Sequence, residues 1–175
     1  MIRRWLPALA FGLVVALVAY QVALVQTPRL LMAAAGRRLA AQGGSNTFVH
    51  GPLATSASRA VVRPSPDLAY SSCVVDLSDG PVRVSVPTLP ARYWSLSVFD
   101  ARTDVAFVAN NVERNGQPIS IVLARAGQVV SPGSTVVTLK GDRAIALIRA
   151  LVEDRSAFPA LDRARRGAVC KADRS

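Results

Sequence analysis

Between Arg4 and Arg29 the chain runs for 24 residues without a charge, and from Leu6 through Val25 it is mostly Leu, Val, Ala and Phe. A helix over 6–26 would be about 31 Å long, which matches the hydrocarbon thickness of a bilayer. Pro7 sits in the first turn, where a missing N–H costs little, and Trp5 and Tyr20 carry amphipathic rings suited to the two interfaces. The pattern therefore predicts a short n-region at 1–5 and a transmembrane helix at 6–26. A cleaved signal peptide is the competing reading, with Ala33-Ala34-Ala35 as the cleavage site. It fits less well, because the apolar run outlasts a normal h-region and Pro28 and Arg29 separate it from that site. Ala8, Gly12 and Ala16 lie four apart on one helix face, a spacing at which a second helix could approach, and one that an Ala-rich span also shows by chance.

After the span, 27–42 reads as a juxtamembrane helix starting near Pro28, either continuing the anchor or lying beside it, with Met32, Ala35 and Leu39 on one side, and Gly43-Gly44-Ser45 ends it. From about residue 59 the period changes to two. Val82, Val84 and Val86 alternate with Arg83 and Ser85; Trp94, Leu96 and Val98 alternate with serines; Ile119, Ile121 and Leu123 follow the same rule. Further strands are expected at 70–77, 105–109 and 135–139, with turns at Asp79-Gly80-Pro81, Asn115-Gly116 and Ser131-Pro132-Gly133. The stretch 142–153 fits either a helix or a buried strand and is taken as a strand. Short strands at this spacing predict a mainly β sandwich or barrel over 43–155. The remainder, 156–175, reads as a short helix with Phe158 and Leu161 inward, followed by a loose basic tail.

Charge changes little in this picture. The formal net charge is +10, and after Arg3 and Arg4 nineteen basic residues still face eleven acidic ones. The arginines are scattered in an Ala-rich chain, without a helix-turn-helix, zinc ligands or aromatic–basic interleaving, so no nucleic-acid partner is expected. Arg29, Arg37 and Arg38 fall close to the lipid surface, where anionic headgroups could meet them as readily as water. Basic residues flank the span on both sides, so the positive-inside rule alone leaves its orientation open.

One histidine, His50, and two cysteines, Cys73 and Cys170, make no metal spacing, and no cofactor motif is present. An oxidising compartment would allow the cysteines to pair, closing a loop worth about 4 to 5 kcal/mol by chain entropy. Against pairing, Cys73 shares the inward strand face of Val75 and Leu77 while Cys170 is expected in a flexible tail, out of its reach.

The run Pro66-Asp67-Leu68-Ala69-Tyr70-Ser71, then Val75-Asp76-Leu77-Ser78, Gly80-Pro81, Val86-Pro87, Arg92-Tyr93-Trp94 and Asp100 resembles the bacterial family catalogued as domain of unknown function 1254. Departures are Ser65 in place of Asn, Leu68-Ala69 in place of Thr-Leu, and Trp94 in place of a second Tyr. The resemblance implies an immunoglobulin-like β-sandwich in an exported location, the bacterial inner membrane with the C-terminal domain periplasmic. It implies no activity. Larger members carry a second, 1214-type β domain, which this chain is too short to include, so a separate 1214-type polypeptide is an expected partner.

The motif positions Asp67, Tyr70, Ser71, Asp76, Gly80, Pro81, Arg92, Tyr93 and Asp100 supply the only candidate site. Asp67 and Asp100 beside Arg92 could act as an acid/base pair if burial split their pKa values. The alternative is that these carboxylates cap turns and pair with Arg92 to satisfy strand ends, which is the reading preferred here. His50 is read as a surface or cap residue, and Ser71 lacks the G-x-S-x-G context of a nucleophile.

Overall fold

The apolar run and the segment after it form one helix, α1 (Leu6–Gly43), continuous through Pro28. In the computed structural model residues 4–55, 58 and 64–173 are described. Residues 1–3 of the n-region and 59–63, where the alternating pattern was expected to begin, lie outside them. No second helix begins at Pro28; the helix runs through it, and the missing N–H removes one hydrogen bond while the neighbouring ones stay in place. Gly44 (φ +79°) stops the helix, its N–H donating to the Ala40 carbonyl at 2.7 Å. None of the helix's side chains is buried: Leu9, Phe11 and Leu13 are more than three-fifths exposed. The helix is long and apolar enough to cross a membrane.

Nine strands follow: β1 (Phe48–His50), β2 (Leu68–Asp76), β3 (Val82–Val86), β4 (Trp94–Asp100), β5 (Val105–Asn110), β6 (Ile119–Arg125), β7 (Val136–Leu139), β8 (Arg143–Leu151) and β9 (Val169–Ala172). A short helix, α2 (Phe158–Arg165), precedes the last. One sheet has the order β1-β2-β8-β4-β5 and is antiparallel throughout; the other has the order β7-β6-β3-β9, with β6 and β7 parallel. The chain is thus a mainly β, two-sheet sandwich with an N-terminal apolar helix and a short C-terminal one. The ambiguous stretch 142–153 contributes β8, the central strand of the larger sheet.

Alternation puts Val82, Val84 and Val86 of β3 and Ile119, Ile121 and Leu123 of β6 into the core, facing Leu96 and Val98 of β4. Full burial of each such side chain contributes roughly 1.5–3 kcal/mol. On β8 the inward positions are Ala144, Ala146, Ile148 and Ala150, and Ala150 stands opposite Trp94 in the β4 register. A small residue there leaves room for the indole.

The structure corrects the expectation of a loose tail. Residues 169–172 form β9, paired antiparallel with β3, and Asp173 continues the attachment: its N–H donates to the Pro81 carbonyl at 2.8 Å and its carboxylate takes Arg83 Nε at 2.8 Å. Cys170, placed by this strand on the inner face, is bonded to Cys73 of β2 across the sandwich, with Cα atoms 6.6 Å apart. The argument that the thiols could not meet fails because both are inward-facing, one on each sheet. The sandwich accordingly extends past 155 and incorporates 156–172. A further strand, β1, pairs Phe48–His50 with Ser71–Cys73 and was not expected.

The disulfide closes a separation of 97 residues. Reducing it, or replacing both cysteines with alanine, is expected to lower unfolding stability by about 2–5 kcal/mol. Thermal melts with and without reductant measure this, and a thiol reagent applied without reductant should label neither cysteine.

Candidate functional site

Three candidates for acid/base chemistry fall in two places. Asp67 lies before β2, exposed, its carbonyl accepting the Val152 N–H, and Arg92 lies before β4 at the same end of the larger sheet. Asp100 closes β4 at the opposite end, opposite Ala144. Six residue steps along β4 separate Trp94 from Asp100, about 20 Å. The structure therefore brings Asp100 near neither of the other two. Arg92 forms an exposed contact with Glu153 at 3.5 Å, a geometry worth little in water.

Each remaining motif residue has a local task. Asp100 is buried and its Oδ1 accepts the N–H groups of Arg102 (2.7 Å) and Asp104 (3.1 Å), holding a tight loop in which Thr103 has φ +71°. The β4–β5 register shifts just before it, between Val98 and Phe99. The Asp76 carboxylate accepts both the hydroxyl and the N–H of Ser78, which hold its pKa below the usual carboxylate value, and Arg143 stands 3.7 Å away. Gly80 has φ +139°, a conformation open to glycine, directly before Pro81. Tyr93 is partly exposed, and its carbonyl accepts the Leu151 N–H. The Tyr70 hydroxyl accepts the Ser65 N–H at 3.0 Å and fixes the entry to β2.

The most polar buried cluster gathers around Ser71 and was not foreseen. Arg165, the last residue of α2, is 1% exposed. All five of its N–H donors are used: Nε and Nη2 on Asp162 Oδ1, Nη1 on the Tyr70 carbonyl (2.6 Å) and Ser71 Oγ (3.1 Å), and Nη2 also on the Gly51 carbonyl. Phe158 packs its ring 5.5 Å from the guanidinium carbon. Ser71 Oγ, which accepts from Arg165, is also hydrogen-bonded to His50 Nδ1 at 2.9 Å, with the histidine tautomer setting which of the two donates. Burial, then the charges of Arg165 and Arg166, push the His50 pKa below its ordinary value, with Asp162 opposing them. Burial tends to raise the Asp162 pKa, but the hydrogen bonds from Arg166 and Arg165 outweigh it and keep the carboxylate ionised.

A serine hydroxyl on a neutral histidine has the outline of an activated nucleophile. Two features remove that role. Ser71 is 1% exposed, and its oxygen already accepts a guanidinium hydrogen, which stabilises the lone pair needed for attack. The cluster is a clamp that seats α2 against β1 and β2. Its signal was in the sequence: Phe158 and Leu161 face inward, and one further turn places Arg165 on the same helix face. Among the described residues no group of three or more His, Cys, Asp or Glu is placed to hold a metal ion.

The family model described as Protein of unknown function (DUF1254) matches residues 45–172. The chain belongs to that family. The match extends through β9, so the DUF1254 unit includes the segment that the disulfide ties down. No curated protein matches the chain. Among solved structures, the VPA0106 protein from Vibrio parahaemolyticus superimposes with a TM-score of 0.64 at 15% identity, over 87% of this chain and 38% of that one. At that identity the likeness shows the shared fold, and the DUF1254 chain spans well under half the length of its Vibrio relative. An uncharacterized protein from Burkholderia cenocepacia aligns with a TM-score of 0.44 at 14% identity, over 71% of this chain and 37% of its own length.

Replacing Arg165 with alanine removes five hydrogen bonds, leaves the Gly51 carbonyl without its donor and leaves Asp162 to Arg166 alone, and should destabilise the domain by about 1–3 kcal/mol, read by urea unfolding. The histidine yields a separate expectation. With its folded pKa depressed, His50 takes up a proton in the unfolded chain first, so stability falls as pH drops below the unfolded value of 6.5 and levels off below the folded one. Asp76, Asp162 and Asp173 have pKa values held below 3.8, so what they contribute is lost at lower pH, and the loss between pH 7 and 5 is assigned to His50. His50→Asn should flatten it; an unchanged slope in the variant would show that another group titrates there.

Proposed function

We propose that this protein is a single-pass protein of the bacterial inner membrane whose sandwich stands in the periplasm as an interaction or accessory module. The observation that carries the reading is the Cys73–Cys170 bond, which joins the two sheets of the domain. Disulfides persist in oxidising compartments. With α1 as an uncleaved anchor, a domain on the oxidising side puts the N-terminus in the cytoplasm. A module rather than an enzyme is favoured because the buried motif side chains, Ser71 and Asp100, are engaged in holding the fold, and Asp100 stands apart from Arg92 and Asp67.

The surface best suited to a protein partner is the β5 edge. The C-terminal segment covers the opposite side of the sandwich, where α2 and β9 lie beside β1, β2 and β3. On β5, Val105 and Val108 are 58% and 57% exposed, and Val112 beyond it is 66% exposed. An apolar edge strand invites pairing. A separate polypeptide of the 1214 type is the proposed partner, held at the same membrane so that the tether raises the local concentration of both.

A reporter fused after Ser175 should be active in the periplasm, and the protein should remain with the membrane through a salt wash; release in soluble form would overturn the anchor. Capture of the tagged chain with a 1214-type polypeptide should be lost in Val108→Lys, a surface change expected to alter stability by no more than about 0.5 kcal/mol. Recovery of the chain alone, with the wild-type sequence, would sink the partner reading.

A further inference from the structure

Between the C-terminal half of α1 and the sandwich lies an open groove of about 490 Å³. Its floor and walls are apolar: Met32, Ala33 and Gly36 on the helix face Val74 and Ile145 of the larger sheet. Its rim is cationic, with Arg29 and Arg37 from the helix and Arg102, Lys140 and Arg143 from the domain. The one carboxylate in its lining, Asp100, is already committed to the N–H groups of its own loop. Arg37, Arg102 and Lys140 form no ion pair among the described residues, and Arg143 has only the long contact to Asp76. Five basic side chains thus face one loop-bound carboxylate, an excess of positive charge that suits an external anion.

The place of the groove decides which kind. Arg29 is the first charge after the apolar run, and Leu30 and Leu31 beyond it are still 68% and 63% exposed on the helix surface. The apolar surface of the anchor therefore runs up to the turn that begins the groove, so the groove opens at the lipid headgroups. An acyl chain can pass from the bilayer onto the Met32–Gly36 wall without crossing water, while its phosphate meets the rim. Arg38 does not line the groove, so the two adjacent arginines part in role.

We propose that this groove is a binding site for one anionic phospholipid of the membrane that holds α1. The site rests on the anchor reading given above and adds to it a ligand class and the residues that select it. Phosphate contacts come from both the helix and the domain, so a bound lipid fixes the sandwich relative to its tether. Gly36 makes the site accessible to a steric test: it lines the groove, and a Cβ added there meets no atom within 4 Å, so a substituted side chain starts in open space on the groove wall.

The test uses the full chain in detergent, with palmitoyl-oleoyl phosphatidylglycerol or phosphatidylcholine added and bound lipids counted by native mass spectrometry. Wild type should retain phosphatidylglycerol over phosphatidylcholine, and R102E/K140E should lower that retention by about tenfold or more, as expected when basic groups each add on the order of 1 kcal/mol at an anionic surface. Gly36→Leu should lower it as well, whereas R114E/R155E, with the same change in charge on exposed sites, should match wild type. Thermal melts check that each variant is folded. Equal retention of both lipids by wild type, or undiminished phosphatidylglycerol on R102E/K140E or Gly36→Leu, would overturn the site. Salt-washed membranes from the same cells separate this failure from the other: a protein that stays in the membrane but fails the lipid test loses the groove alone, and one that washes off loses the anchor.

Discussion

A guanidinium removed from water must have its hydrogens met, and in this domain Arg165 satisfies that requirement by drawing three segments to one point. Its five donors reach Asp162 on its own helix, Tyr70 and Ser71 on β2, and Gly51 just after β1. Breaking any one leaves a buried polar group without a partner, which costs more than an ordinary hydrogen bond returns. That asymmetry explains why α2 has a fixed seat although it is only eight residues long and buries just one hydrophobic side chain, Leu161. With α2 held, the chain leaving it is delivered to the open edge of β3, and β9 forms where a free tail would otherwise end.

The disulfide acts on the same region from the other side. Arg165 attaches the C-terminal segment to β2 of the larger sheet, and β9 attaches it to β3 of the smaller one. The Cys73–Cys170 bond lies two residues along β2 from Ser71 and links those two attachments covalently. One flank of the sandwich is therefore closed by a salt-bridged helix, an added strand and a cross-link together. The β5 edge has none of these. A sandwich so unequally finished places its adaptable surface where the chain has not covered it.

Much of the fold was legible because its strands obey a period of two in residue type, marked on β3 by the half-buried Arg83 and Ser85 and on β4 by serines that are themselves buried. Val82 to Val86 and Trp94 to Val98 are readable for that reason, and the apolar run to Gln26 declares its helix by length. Two short segments at the margins of the domain were not legible, although the four-residue strand Val136–Leu139, marked by the turn before it, was. Phe48–His50 and Val169–Ala172 hold three and four residues, too few for a period, and they become strands because an edge is waiting for them. The cysteine pairing failed for the same cause, since its geometry depends on β9 existing. The Ser71 cluster was half readable: the helix face that carries Phe158 and Leu161 points on to Arg165, but a charged residue on an apolar face looks like the end of that face until its acceptors are seen.

The motif residues also bear on where function can reside. Asp76, Gly80 and Asp100 shape turns, while Tyr70 and Ser71 supply acceptors for Arg165, so the pattern that marks the family is a record of how the sandwich is tied together. A substrate or partner has little purchase on side chains spent in this way. What remains is the surface the motif does not specify, and on this chain its least ordinary part is the groove that α1 makes with the sheet. A tether needs no positive rim and no glycine opposite a sheet. Those features place charge and space at the one junction where the anchor, the domain and the membrane meet, which is where a lipid could control how the domain stands above the bilayer.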